Sequence, residues 1–187
     1  GYTAVQIEAY RWFASGQIEL SKKDYTNALT AFNKSQEVMP NSALPFFGLG
    51  NTYLANQQLQ DALKLYQKAI RNDRKLSMAY KKLGDTQRLL SKDKEAIAAY
   101  KSAIQLGYKT PETRYWLATL MLENKQIEAG LKEREEVVKE MPRPEVYISI
   151  GKGYEKLKRD VSAIEAYLKA IEVDPNSSVA YYKLANV

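Results

Sequence analysis

The chain of 187 residues is 45% hydrophobic and 27% charged, and 28 Lys and Arg against 22 Asp and Glu give a formal charge of +6. It has no Cys and no His, which excludes disulfides, thiolate nucleophiles, Cys-based zinc sites, His-dependent acid–base triads and imidazole metal ligands. The apolar content suffices for a substantial core, and no apolar run approaches the roughly 20 residues needed to span a bilayer. Acidic residues are interspersed with the basic ones almost everywhere. The charge therefore favours solubility and mildly favours acidic partners, but offers no continuous track for phosphates, so nucleic acid is not an expected partner.

The sequence opens at Gly1-Tyr2 with neither an initiator Met nor a signal-like apolar stretch, and reads as an excised fragment. The compartment stays open, with cytoplasm ahead of a periplasm reached through a removed leader. Thr3 with Gln6 has the form of a capping box, which starts the first helix early. Asp24 is placed to cap a second helix carrying NALTAFNKSQ at 27–36, which Pro40 stops. DALKLYQKAI at 61–70 and EAIAAYKSAI at 95–104 follow with the same helical spacing. Thr110-Pro111-Glu112 reads as N-cap, first-turn proline and an acid favoured by the helix dipole. KEREEVVKE at 132–140 is a polar helix ended by Pro142. Asp160 is placed to cap SAIEAYLKAI at 162–171, and Pro175 ends that helix. The closing SVAYYKLANV at 178–187 matches only the start of another helix pair.

These segments repeat. Phe32, Tyr66 and Tyr100 stand 34 residues apart, and Tyr167 occupies the same setting later. Upstream of each lies a glycine: Gly16, Gly50, Gly84 and Gly151. Trp12, Phe46, Tyr80 and Tyr147 each precede one of those glycines by four residues. Gly50 is expected to face Ala62 where two helices cross closely, small side chains bringing the axes toward the lower end of the usual ~8–10 Å. Leu49, Leu83, Leu117 and Ile150 supply apolar knobs on the first helices, and Leu63, Ile97, Leu131 and Ile164 on the second. The fourth unit departs from this pattern. It has Arg114, Gly130, Arg134 and Val137 where the others carry an aromatic, Ala, an aromatic and a small residue. Its second helix is either the most loosely packed or simply a degenerate repeat with ordinary packing.

The pattern resembles the tetratricopeptide repeat, a helix–turn–helix unit of 34 residues. The resemblance covers nearly the whole chain, with units at 9–42, 43–76, 77–110, 111–143 and 144–177 and a partial sixth at 178–187, all in one domain. It implies an all-α fold, a right-handed superhelical solenoid of antiparallel helix pairs whose first helices line a concave groove. Carrying the family's groove positions onto this chain names Tyr10, Phe13, Gln17 and Leu20 in the first unit and Leu44, Phe47, Asn51 and Leu54 in the second. Lys81, Lys82, Asp85 and Arg88 follow in the third, and Tyr115, Trp116 and Thr119 in the fourth. The expected function is a non-catalytic protein–protein interaction module, an adaptor or assembly scaffold without cofactor. Its ligand is a peptide or protein segment with apolar anchors over the first two units and acidic character over Lys81, Lys82 and Arg88. The alternative is a scaffold that assembles with further copies through the groove or the C-terminal edge around Tyr181 and Tyr182, and a minor alternative is a nucleic-acid-binding helical repeat. Some family members grip chaperone tails with a lysine–asparagine clamp. That clamp is not matched here, because Phe47 stands before Asn51 where the lysine belongs, and Lys82 stands where the second asparagine belongs.

Overall fold

The computed structural model describes residues 1–187 as eleven α-helices without a strand. They are α1 (Ala4–Ser21), α2 (Tyr25–Val38), α3 (Ala43–Ala55), α4 (Leu59–Asn72), α5 (Ser77–Leu89), α6 (Asp93–Gln105), α7 (Pro111–Glu123), α8 (Ile127–Glu140), α9 (Pro144–Lys156), α10 (Asp160–Val173) and α11 (Ser178–Ala185). Helix packing divides the chain into two compact units, Gly1–Tyr108 and Lys109–Val187. In the first unit α1 pairs with α2, α3 with α4 and α5 with α6, while α2 packs on α3 and α4 on α5. The first helices α1, α3 and α5 also touch in succession. In the second unit α7 pairs with α8 and α9 with α10, α8 packs on α9, and α11 covers α10.

A ring set against a glycine organises the pairs. Phe32, Tyr66, Tyr100 and Tyr167 on the second helices are completely buried. Each lies against a glycine of its own first helix: a Cβ on Gly50 would stand 2.8 Å from the Tyr66 ring, and one on Gly84 2.9 Å from Tyr100. Gly16 meets Phe32 and Gly151 meets Tyr167 in the same way. The close approach that requires glycine is therefore to the ring, not to Ala62 as the small-residue pattern suggests, although Ala62 is fully buried nearby. The fourth pair has Ala118 at the glycine position and Arg134 at the ring position, both buried. A slim guanidinium stem leaves room for the methyl that a ring would not. The pair is well filled all the same, since Val137 is fully buried and Leu131 nearly so.

Local signals place most boundaries. Thr3 and Gln6 form the reciprocal capping box of α1, Asp24 caps α2 through Asn27, and Thr110 caps α7 through Thr113. Asp160 is instead the first residue of α10 after Arg159, whose side chain makes no cap bond. There Asp160 acts through the helix dipole. Within each pair the turn passes through a non-glycine residue at positive φ: Lys23, Gln57, Ser91, Lys125 and Lys158, between 55° and 63°. The next amide reaches back five residues in every case, as Gln58 N–H does to the Tyr53 carbonyl at 2.8 Å. That bond satisfies a carbonyl the helix end would leave orphaned.

Candidate functional site

The residue nineteen positions before each second-helix ring sits beside it. Phe13 packs on Phe32 with centroids 5.4 Å apart, and Phe47 on Tyr66 at 5.9 Å. Phe47 is only 5% exposed and belongs to the core of the first unit. Its place in a groove register did not make it a groove surface, because its own repeat's ring claims it. In the third pair the same position is Lys81, buried, whose Nζ donates to Asp85 Oδ2 at 2.7 Å. Asp85 Oδ1 accepts the Tyr100 hydroxyl at 2.8 Å, and Arg88 Nε reaches that hydroxyl at 3.4 Å. Lys81 and Asp85 thus neutralise one another below the surface instead of displaying charge. Asn51 has the matching task one repeat earlier, its Oδ1 accepting the Tyr66 hydroxyl at 2.7 Å. Burial, reinforced by Asp85, pushes the phenols of Tyr66 and Tyr100 well above the ordinary range, and Arg88 opposes this in part at Tyr100.

The other expected groove residues separate into two places and some outliers. In the first unit Leu20, Asn51, Leu54 and Lys82 surround a pocket of about 560 Å³ at the C-terminal ends of α1 and α3. Ser21, Lys23, Tyr25 and Ala55 complete its wall. Tyr25, whose hydroxyl donates to the Ala55 carbonyl at 3.3 Å, was not foreseen from sequence. It opens a second helix, where the repeat register gave no reason to look. Tyr10 is exposed and meets Tyr2 edge-on at 5.6 Å, and Gln17 is exposed. Leu44 is half-buried, and neither it nor Tyr10 nor Gln17 lines this pocket. In the second unit Tyr115 and Trp116 stand edge-to-face at 5.3 Å. They line a more apolar pocket of about 450 Å³ with Glu112, Met141, Arg143, Glu145 and Val146.

Arg134 lies behind Tyr115. Its guanidinium carbon is 4.0 Å from the Tyr115 ring centroid, and its Nη2 donates to Thr119 Oγ1 at 2.6 Å. Nε and Nη1 are buried without an acceptor. Burial lowers the pKa of the group, and Tyr115 and then Glu123 act against that shift. No three residues among Asp, Glu, His and Cys come together as metal ligands, and no helix is long and apolar enough to cross a membrane.

Stacked helix pairs with a recurring ring–glycine contact define an α-helical repeat protein. Profiles described as tetratricopeptide repeat match residues 9–42, 47–111 and 166–187, and the chain belongs to that family. Among curated proteins it is 26% identical over 176 residues to the TPR repeat-containing protein MJ1428 of Methanocaldococcus jannaschii, covering 94% of this chain and 29% of that protein. It is also 28% identical over 183 residues to the protein O-mannosyl-transferase TMTC3 of Mus musculus, covering 88% of this chain and 20% of the transferase. The chain thus spans less than a third of the length of these relatives. Among solved structures, YrrB, titled a TPR protein with an unusual peptide-binding site, superposes with a TM-score of 0.79 at 20% identity over 91% of this chain and 89% of that one. A MamA crystal structure gives 0.78 at 23% identity over 91% and 94%. At these identities the likeness is one of fold.

Proposed function

We propose that the chain is a non-catalytic recognition module that holds a peptide or protein segment against the first helices of its first unit, serving as an adaptor or assembly scaffold. The observation that carries this reading is the pocket at the ends of α1 and α3. Two half-buried leucines, Leu20 and Leu54, stand with Tyr25 beside the Asn51 amide and the Lys82 ammonium. Lys82 forms no ion pair, in contrast to Lys81. A ligand side chain that fills such a site gains roughly 1.5–3 kcal/mol per well-buried apolar anchor before ordering costs, whereas an exposed ion pair adds about 0–1 kcal/mol. The leucines therefore supply affinity, and Lys82 biases the choice toward an acidic neighbour. Membership of a family of interaction modules, and the peptide-binding site named for YrrB, support the reading. The transferase named among the relatives shares only a fifth of its length with this chain, and its activity is not carried over.

The test is selection of ligands from a displayed random peptide library, followed by fluorescence anisotropy with the best binder. Leu54→Glu is expected to weaken binding at least about tenfold and Lys82→Glu to remove the preference for acidic peptides, both with helical circular dichroism unchanged. Affinity unaltered by both substitutions removes this site. A second reading, self-association, rests on α11, where Val179, Tyr181 and Tyr182 are exposed. Light scattering over a concentration series decides it, and a constant monomer mass counts against it.

A further inference from the structure

The fourth repeat contains a buried charge with no countercharge in contact. Arg134 is 4% exposed; its Nη2 donates to the Thr119 hydroxyl, while Nε and Nη1 are buried without a well-formed hydrogen bond, Tyr115 adding only a weaker polar contribution. Glu123 acts on it only through space. A buried cation left with unfilled N–H groups is costly, and a carboxylate is the acceptor that matches a guanidinium best. The other four full repeats place a ring here and bury no cation at this position. Tyr115, whose ring covers the guanidinium, also lines the apolar pocket with Trp116, Met141 and Val146. Tyr115 thus touches both the accessible cavity and the buried guanidinium.

We infer that Arg134, Thr119 and the Tyr115 ring form a second recognition site, one that accepts a single carboxylate of a peptide ligand whose flanking apolar side chains occupy the Tyr115–Trp116 pocket. The ligand carboxylate reaches Arg134 when Tyr115 swings aside about its χ1 bond. The charged group comes from a second helix and is reached from behind a first-helix ring, so the site shares no residue with the Leu20–Leu54–Lys82 pocket. Either site can fail experimentally while the other stands. Glu112 and Glu145 also line the pocket, with Arg143 as the basic residue among them. These two acids select against polyacidic ligands and for one acid between apolar neighbours.

The probes are acetyl-Leu-Phe-Glu-Leu-Phe-amide, its Gln counterpart and sodium acetate, each titrated into the intact chain while the Arg134 Nε–H resonance is followed by NMR. The Glu peptide is expected to shift that resonance saturably and to bind about tenfold tighter than the Gln peptide. Acetate is expected to produce a smaller shift in the same direction at millimolar concentration. The double variant Ala118→Gly with Arg134→Tyr restores the ring–glycine arrangement of the other repeats and so should fold. In it the Glu and Gln peptides are expected to bind within twofold of one another. Equal binding of the two peptides to the parent chain, an Arg134 resonance unmoved by the Glu peptide, or a tenfold Glu preference surviving in the double variant would each overturn the inference.

Discussion

The third and fourth repeats solve the same packing problem with different chemistry. In the third, the Tyr100 ring lies on Gly84 and its hydroxyl ends on Asp85, which also takes Lys81. The polar groups form a closed circuit. In the fourth, Arg134 replaces the ring, Ala118 replaces the glycine, Thr119 replaces the aspartate and Tyr115 replaces the lysine. Aromatic and cation have exchanged places: in the fourth repeat the cation lies on the Tyr115 ring, and the countercharge is lost. A repeat can thus keep its helix geometry and still change from a satisfied interior to one that lacks an acceptor.

The largest effect expected from breaking this contrast is in the third repeat. Tyr100→Ala removes a fully buried ring and should cost about 3–5 kcal/mol of unfolding free energy in urea titration. Asp85→Ala should cost about 3 kcal/mol, because it removes the buried carboxylate that accepts from both Lys81 and the Tyr100 hydroxyl. In the fourth repeat the sign reverses. The double variant Ala118→Gly with Arg134→Tyr should be stabilising by about 1–3 kcal/mol, as replacing buried charge by fitted apolar volume often is.

Alkaline pH sharpens the comparison further. The phenols of Tyr66, Tyr100 and Tyr167 are raised above their ordinary value of 10.0, chiefly by burial. The folded state therefore keeps these protons where the unfolded chain releases them. Their contribution is fully present below pH 10 and is lost as pH rises beyond it. Urea midpoints should fall steadily above that point, and ultraviolet titration should show three tyrosines ionising only with unfolding. The smallest effect belongs to the turns: Gln57→Gly relieves a positive φ of 61° and should raise stability by up to about 1 kcal/mol.

What was legible in the sequence was what packing enforces periodically. A ring that must lie on a glycine fixes both residues at constant spacing, so Phe32, Tyr66, Tyr100 and Tyr167 announced the helix pairs. Thr3, Asp24 and Thr110 announced helix starts because an N-cap acts locally. The exposure of the expected groove positions was less legible. Register gives the side of a helix on which Phe47 begins, but not that its ring turns inward onto Tyr66, nor that Lys81 prefers Asp85 to solvent. Those outcomes depend on the partner at the end of the side chain. The five turns at positive φ carry Lys, Gln or Ser in place of glycine, so no residue type marked them. Arg134 was visible as a departure, but its missing acceptors become apparent only with all its neighbours in place.

Recognition as proposed requires the first-unit pocket to be a surface that a ligand occupies. The most direct measurement is methyl NMR of the intact chain during titration with a peptide selected from a displayed library. Saturable shifts are expected at Leu20 and Leu54, with the Phe47 environment undisturbed. Shifts confined to the outward faces of α2 and α4, with Leu20 and Leu54 unmoved at saturation, would contradict this mode of recognition.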